Sequence, residues 1–250
     1  MFIFRFAICT LIATLVGCQT PLLVQRGASL SMILDDTDEV EAPQEQVDVT
    51  PQAIALMYAV ASAAENRGDA QVAIEHYEKL LTEDPEHSQA MRRLALIHGK
   101  RGACTKSTEL FNVAIQLEPR NAELRCDYGY ALYLAEDLVE AENQIRKSIE
   151  MEPEFTRARN ILGMVLARDG KIKSALGEFE AAKVPQSEAY ANIALAMLLN
   201  GDAKIAEEHI LLAESMNPPT DLKARLAEYR NAIQSLPTET CNELPQASLD

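Results

Sequence analysis

The sequence predicts an all-α chain of about five similar helix pairs followed by one closing helix. The first observation is a regular spacing, since Pro85, Pro119 and Pro153 lie 34 residues apart and each follows an acidic residue. The second is composition: the 250 residues include only 10 Gly and 11 Pro, and helix-favouring residues dominate. The third is a set of small and bulky positions that recur in the same register.

Four sequence columns carry this register. The first column is small and consists of Ala61, Ala95, Gly129, Gly163 and Ala194. The second is also small and consists of Ala73, Ser107, Ala141, Ala175 and Ala206. The third is bulky and consists of Tyr77, Phe111, Ile145, Phe179 and Ile210. The fourth is mostly small and consists of Leu80, Ala114, Ser148, Ala182 and Ala213. Small side chains allow two helices to approach closely, and bulky ones fill the space beside that contact.

Helix ends are also marked in the sequence. Four glycines lie midway through their units, where a helix has to stop and reverse, and glycine supplies the left-handed conformation for such a turn. These are Gly68, Gly102, Gly170 and Gly201. Thr50 followed by Pro51 fits a helix N-cap with proline in the first turn. Residues 221–236 predict the closing helix, with one apolar face made by Leu222, Leu226, Tyr229 and Ile233.

The pattern resembles the tetratricopeptide repeat (TPR) over roughly residues 54–218, in five units. The resemblance implies a right-handed solenoid in which each helix pair is stabilised chiefly by its neighbours. It also implies that the first helix of each pair lines a concave surface where partners bind. We expect a TPR domain with its capping helix over residues 51–236 and a disordered tail over 237–250.

The N-terminus predicts a secretory signal over residues 1–17. It has one basic residue, Arg5, and an apolar run from Phe6 to Val16, which is shorter than the roughly 20 residues of a membrane-spanning helix. Leu15-Val16-Gly17-Cys18 resembles the lipobox of bacterial lipoproteins, which implies cleavage before Cys18 and its lipidation with palmitate-type chains. Gln19 in place of an aspartate implies sorting to the outer membrane. An uncleaved anchor or a plain signal peptide is the alternative.

Residues 18–50 predict a lipidated, disordered acidic tether. Seven acidic residues and no basic one lie between Asp35 and Asp48, and such a segment buries too little apolar surface to order itself. The apolar residues Leu30, Met32, Ile33 and Leu34 offer a second interpretation, a short partner-binding patch.

Composition and motifs predict a protein that is not an enzyme and has no cofactor. The formal net charge of −15 repels nucleic-acid phosphates and anionic lipid, although an acidic surface also simply favours solubility. No phosphate-binding loop or nucleophile elbow occurs, and we expect no small-molecule substrate. We expect no metal site among the four histidines, His76, His87, His98 and His209.

The cysteines of the repeat region predict packed thiols. Cys104 is expected to begin a second helix and Cys126 to begin the next first helix, and these helices run antiparallel. The two thiols are therefore expected toward opposite ends of the layer, which disfavours a disulfide between them. With Cys241, the number of cysteines after Cys18 is odd.

Helical-face assignment then predicts a partner-binding groove. Its residues share the concave side of the first helices and are Tyr58, Asn66, Arg92, Lys100, Tyr130, Tyr133, Arg157, Asn160 and Arg168. Four cations with tyrosines between them indicate capture of an acidic peptide, although solvent-facing arginines on helices are commonplace. The column that holds the asparagine of two-carboxylate clamps reads Ser62, Leu96, Tyr130, Met164 and Leu195, which disfavours chaperone C-termini as partners.

Three stretches, at residues 127–133, 160–166 and 189–194, resemble TPR lipoproteins of tight-adherence (Flp-type) pilus systems. The resemblance implies a scaffold on the periplasmic side of the outer membrane that assists a secretin or other pilus-assembly components. An adaptor for cell-wall enzymes or outer-membrane protein assembly is the alternative.

Overall fold

A computed structural model describes residues 50–235 of the chain. The predicted signal segment 1–17, the lipidation site Cys18, the tether before Thr50, Cys241 and the tail 237–250 lie outside the described residues. These predictions are not tested by the structure.

The described residues form eleven α-helices and no strand. In chain order they are α1 Pro51–Asn66, α2 Ala70–Glu83, α3 Ser88–Lys100, α4 Cys104–Leu117, α5 Ala122–Leu134, α6 Leu138–Met151, α7 Thr156–Arg168, α8 Ile172–Ala181, α9 Gln186–Asn200, α10 Ala203–Ser215 and α11 Thr220–Ser235. The first ten helices form five antiparallel pairs, which confirms the predicted solenoid of helix pairs.

The first helices of the pairs form the inner side of the solenoid. Each first helix packs on the second helix of its own pair, and α3, α5, α7 and α9 also pack on one another in sequence. Within residues 50–235 the second helices do not pack on one another in this way. The closer spacing of the first helices places them on the inside of the curve, as expected.

The four columns form the core between the paired helices. Every residue of these columns is buried, from Ala61 in the first repeat to Ala213 in the fifth. The bulky third column is 0% exposed in all five repeats. The core is thus the same contact repeated five times, which is why one 34-residue pattern predicts all of it.

Glycines permit the closest approach in the third and fourth repeats. A Cβ atom added to Gly163 would lie 2.6 Å from Phe179 Cε1, and one added to Gly129 would lie closer still to Ile145 Cγ1. Both distances are shorter than van der Waals contact. The bulky column therefore fills the space that a side chain at the glycine would need.

Left-handed residues end the first helices. Gly68, Gly102, Gly170 and Gly201 have φ between +76° and +87°, as predicted. The equivalent turn of the third repeat has Glu136 instead, with φ +63°. This conformation is uncommon for a residue with a Cβ atom, and the sequence pattern did not predict it there.

The closing helix covers the C-terminal end of the repeats. Leu222 and Leu226 of α11 are buried against Ala191 and Ala194 of α9 and against Ile210 of α10. Tyr229 and Ile233 pack beside them. The predicted capping helix is therefore confirmed.

We predict opposite effects of the same substitution at two helical glycines. Gly129→Ala is expected to lower the free energy of unfolding by about 1–3 kcal/mol, because the new methyl group overpacks Ile145. Gly177→Ala in α8 is expected to raise it by about 0.5–1 kcal/mol, because nothing lies within 4 Å of the added Cβ and alanine favours helix. Thermal and denaturant unfolding measure both. Stabilisation of both variants would contradict the close contact between Gly129 and Ile145.

Candidate partner-binding groove

An apolar strip crosses the inner face of the middle and C-terminal repeats. It consists of one residue from each of four first helices, all from a single sequence column: Leu96, Tyr130, Met164 and Leu195. Leu96 is buried, and the other three are partly buried. Tyr133 stacks on Tyr130, with ring centroids 6.4 Å apart and an interplanar angle of 21°. We call this strip the groove floor.

A buried carboxylate, Asp127, links three neighbouring first helices beside the groove floor. Its side chain is 2% exposed and lies on α5. It accepts a hydrogen bond from Arg157 of α7, and Arg92 of α3 places Nε 3.6 Å from its Oδ2 atom. Arg92 also donates to Glu123 Oε2 at 2.5 Å. Two arginines and two carboxylates therefore form one charge-balanced cluster.

The pKa directions agree with mutual stabilisation in this cluster. The hydrogen bond and charge of Arg92 lower the pKa of Glu123. Burial disfavours the charge of Arg157, but the surrounding acidic groups, Asp127 first among them, together raise the pKa of Arg157. Both shifts favour the charged form of the group concerned.

Similar polar contacts join other neighbouring first helices. Arg93 of α3 pairs with Glu65 of α1 at 2.7 Å, and Arg225 of α11 pairs with Glu188 of α9 at 2.6 Å. Arg168 of α7 donates to Asn200 at the end of α9. Together with the Asp127 cluster, we call these contacts the inner-face bridges. They tie adjacent repeats together where the apolar columns do not reach.

The predicted cations of the groove fall into two rows. Arg92 and Arg157 lie early in their helices and meet at Asp127, whereas Lys100 and Arg168 are the last residues of α3 and α7. Arg168 bonds to Asn200 and lies 3.4 Å from Glu136. Lys100 is exposed and has no ion pair with any described residue. Three of the four cations are thus engaged within the chain.

The other predicted groove residues have diverse surroundings. Tyr58 is half-buried and stacks on His87 at 5.4 Å, and Asn66 is exposed at the end of α1. The side-chain oxygen of Asn160 is buried without a hydrogen-bond partner among the described residues. Tyr130 and Tyr133 lie at the groove floor, and burial raises the pKa of Tyr133. The predicted groove residues therefore lie in different local environments along the inner face.

Sequence reasoning missed the carboxylates of this surface. Asp127 and Glu123 were not predicted as site residues, although Asp127 organises the arginines on either side of it. A search for opposite charges separated by about one repeat would have found them, because Arg92–Glu123 and Asp127–Arg157 are 31 and 30 residues apart.

Histidines and cysteines have structural surroundings in residues 50–235. His87 accepts a hydrogen bond from the backbone of Ala90 and so caps α3. No group of three or more His, Cys, Asp or Glu side chains in this range is arranged to hold a metal ion. The prediction of packed thiols is confirmed for Cys126, which is buried, and is wrong for Cys104, which is exposed at the start of α4; both thiols are free.

A second concavity lies away from the groove floor. It is an open cavity of about 440 Å³ between α2 and α4, with Leu94 and His98 of α3 at its base. Its apolar walls include Leu81 and Leu110. Burial lowers the pKa of His98, so its imidazole is neutral at pH 7.

Comparison with known families decides what this architecture is. The family model described as "Tetratricopeptide repeat" matches residues 58–122 and 126–191, which together are more than half of the chain. The chain belongs to the tetratricopeptide repeat family. TPR proteins bind peptide or protein partners, and this TPR chain is accordingly a protein-interaction scaffold.

Solved structures confirm the TPR fold. One is PilW, titled a "widely conserved type IV pilus biogenesis factor", with TM-score 0.57, 20% identity and coverage of 74% of this chain and 89% of that chain. A thermophilic TPR protein from Thermus thermophilus, TTC0263, has TM-score 0.57, 19% identity and coverage of 72% and 100%. PilF from Pseudomonas aeruginosa has TM-score 0.53, 22% identity and coverage of 74% and 88%.

Two further findings complete the comparison. No curated protein has a sequence that matches this chain. Among residues 50–235, none of the helices combines the length and the apolar character that crossing a membrane requires.

We predict that Asp127→Asn lowers the free energy of unfolding by about 1–3 kcal/mol, because the partly buried Arg92 and the exposed Arg157 lose the buried carboxylate that they share. Denaturant unfolding measures the change. Asp169→Asn is the matched control, since Asp169 is 43% exposed and pairs only with the exposed Lys171. Its expected effect is within about 0.5 kcal/mol. Equal effects at the two positions would contradict a structural role for the Asp127 cluster.

We predict selective alkylation of the two described thiols. Burial raises the pKa of Cys126 from 9.0 to about 12, so its thiol stays protonated and covered in the folded chain. Iodoacetamide at pH 8 should modify Cys104 and leave Cys126 intact until the chain is denatured, as peptide mass spectrometry will show. Rapid native labelling of Cys126 would contradict its burial.

The same burial predicts a loss of stability in alkali. The pKa of Cys126 rises from 9.0, and that of Tyr77 from 10.0, to about 12, mainly because both are buried. A raised native pKa contributes stability that is fully present below the unfolded pKa and is lost as pH rises toward the native value. Tm should therefore fall between about pH 9 and 12. The decline should be smaller in Cys126→Ala than in the unsubstituted chain.

Proposed function

We propose that this TPR scaffold is anchored by lipid at the periplasmic face of the outer membrane and assists assembly of a Flp-type pilus or secretion apparatus. The observation that supports the scaffold part is the groove floor, a continuous aromatic and apolar strip on the inner face of four repeats. The anchor is supported by the sequence alone, through the lipobox-like Leu15-Val16-Gly17-Cys18.

The surroundings of the groove floor favour recognition of a partner segment through apolar and aromatic contacts. Arg92 and Arg157 already face Asp127, so their charges are balanced within the chain. A partner carboxylate would have to compete with Asp127 for them, and buried charges separated from their partners cost several kcal/mol. Lys100 is the cation left for an acidic group at the groove edge. The occupant is therefore an apolar helix or extended segment with acidic residues on one flank only.

The pilus assignment is supported by two independent likenesses. The repeat stretches 127–133, 160–166 and 189–194 resemble Flp-type TPR lipoproteins. PilW, whose title names type IV pilus biogenesis, has a similar fold at 20% identity.

A non-catalytic role forms part of the proposal. The densest collection of charged groups on the inner face is the Asp127 cluster, and its members satisfy one another. A catalytic acid or base needs a pKa near the operating pH and an accessible reacting atom. Asp127 is 2% exposed and its two neighbours are arginines, which is the arrangement of a structural carboxylate.

We predict that Cys18 carries the anchor. Cys18→Ser should move the protein from the membrane to the soluble periplasmic fraction and abolish fatty-acid labelling, because stable anchoring requires several acyl chains. Fractionation and metabolic labelling measure this, with Cys104→Ser as the control that keeps the anchor. Membrane-bound, labelled Cys18→Ser protein would contradict the anchor and leave the scaffold role intact.

We predict that partner capture depends on the groove floor. Tyr130→Ala should weaken binding by roughly thirty-fold, the cost of losing an aromatic anchor worth about 2 kcal/mol. The measurement is quantitative recovery of secretin and pilus components on the full-chain bait from detergent-solubilised membranes. Lys100→Glu should reduce recovery in a salt-dependent way, whereas Lys79→Glu on α2 makes the same charge change on the outer side and should not.

The outcomes separate the two parts of this proposal. Recovery of pilus components that is unchanged by Tyr130→Ala would contradict the groove floor as the binding site. Recovery of other envelope proteins, lost on Tyr130→Ala, would retain the groove and contradict the pilus role.

A further inference from the structure

The cavity between α2 and α4 has a histidine at its base whose side chain lacks a hydrogen-bond partner. His98 is 7% exposed and lines the cavity, and its imidazole makes no hydrogen bond to any residue in the range 50–235. Buried polar side chains in folded proteins nearly always have a partner. The imidazole is therefore a free hydrogen-bonding group beside an open space of about 440 Å³.

The other repeats have no polar residue at the position of His98. Its equivalents are at most 7% exposed and are Ala64, Leu132, Leu166 and Met197. Four of the five helix pairs thus form with an apolar residue at this point in the core. The packing of the helices does not account for a histidine here.

The second repeat also leaves open a crevice that polar side chains bridge in the next two repeats. Two hydrogen-bonded pairs form these bridges, each with a donor–acceptor distance of 3.1 Å: Arg125–Gln144 and Arg159–Glu178. The second repeat has Met91 and Leu110 at the equivalent positions, and both line the cavity. An apolar opening therefore replaces the polar bridge.

The walls of the cavity suit an aromatic ring. They are made by Leu81 of α2, by Met91 and Leu94 of α3, and by Leu110 and Val113 of α4. Methionine is adaptable, and its sulfur makes favourable contacts with aromatic edges. Val113 is 44% exposed at the rim, so the cavity opens to solvent on the outer side of the solenoid.

The charges around the cavity favour a neutral occupant. Glu78 of α2 and Glu109 of α4 are acidic, whereas Lys106 of α4 and Arg101 after α3 are basic. Burial, assisted by Lys106 and Arg101 and opposed by Glu78, lowers the pKa of His98. The two acids balance the two bases, so an ionised ligand would lose its hydration for little net attraction. A neutral polar group fits this surrounding better.

We propose that this cavity binds a tyrosine side chain of a partner protein, with the ring between α2 and α4 and the hydroxyl hydrogen-bonded to His98. A buried phenol hydroxyl usually finds a hydrogen-bond partner. A neutral imidazole has one donor and one acceptor nitrogen, and a hydroxyl both donates and accepts. The two groups are therefore complementary in either tautomer of His98. Phenylalanine would leave the imidazole unpaired, and tryptophan can only donate.

A protein is the expected source of the ring because the chain is a protein-interaction scaffold of the TPR family. The cavity lies between second helices, whereas the groove floor lies on the first helices. The proposal is thus a second contact site, and it is independent of the groove floor, the lipid anchor and the pilus role.

Binding of small side-chain analogues to the full chain tests the chemistry. The chain carries Cys18→Ser, so that no acyl chain enters the assay. The probes are N-acetyl-tyrosinamide, N-acetyl-phenylalaninamide, p-cresol and p-toluate, and methyl NMR shifts of Leu110 and Val113 report binding. N-acetyl-tyrosinamide should bind in the millimolar range, as a single ring does. It should bind at least about five-fold more tightly than N-acetyl-phenylalaninamide, because a site that hydrogen-bonds a hydroxyl discriminates against the analogue lacking it.

Two variants and a matched control test the residues. His98→Leu places the residue of the third and fourth repeats at this position, and the tyrosine preference should fall below about two-fold. Met91→Arg combined with Leu110→Gln recreates the bridge of the third repeat and should weaken binding of both amides. His76→Leu is the control, because His76 lies on α2 and does not line the cavity. Circular dichroism checks that all variants retain their helix content.

Several results would overturn the proposal. They are equal affinity for the two amides, no binding of either, shifts confined to residues outside the cavity, and a tyrosine preference that survives His98→Leu. Tighter binding of p-toluate than of p-cresol would show that the cavity selects an anion. Binding of p-cresol without binding of N-acetyl-tyrosinamide would show that the cavity admits a free phenol but not a residue of a chain.

Discussion

The close approach of the two helices within each pair is the contact on which the rest of the structure depends. Gly129 against Ile145 and Gly163 against Phe179 leave no room for a side chain on the first helix. In these two repeats the contact fixes how far the first helix stands from its second helix. The first helices also pack on one another along the inner side. The core contacts therefore hold in place the helices that carry the groove floor.

Charge has a different role on the inner face from the one that the sequence indicated. Arg92, Arg157 and Arg168 were predicted as ligands for an acidic peptide. In the structure, Arg92 and Arg157 share Asp127, and Arg168 bonds to Asn200. A solenoid repeat contacts only its neighbours, so bridges between adjacent first helices add stability where the core does not reach. Balancing these charges within the chain leaves the aromatic and apolar floor as the surface that distinguishes one partner from another.

The difference between what sequence predicted and what it missed has a physical cause. The core columns, the left-handed glycines and the capping helix were predictable because one packing problem is solved five times with residues of the same size. The bridges do not appear in such columns, because each is made once: the column that contains Asp127 holds Ala59, Arg93, Ile161 and Asn192 in the other repeats. Only the spacing between opposite charges in neighbouring repeats indicates them. Glu136 escaped prediction for the same reason, since it occupies a turn where the other repeats have glycine. Features that all five repeats share can therefore be read from the sequence pattern. Surface features that distinguish this solenoid from others occur in single repeats and leave no such pattern.

The two ends of the solenoid differ in how their apolar contact positions are covered. A repeat that ends a stack has lost one neighbour, and the chain compensates at the C-terminal end with α11. At α1 the apolar contact positions are retained, although a few polar residues at Leu56 and Val60 would have made the end soluble at no cost to the core, given their exposure.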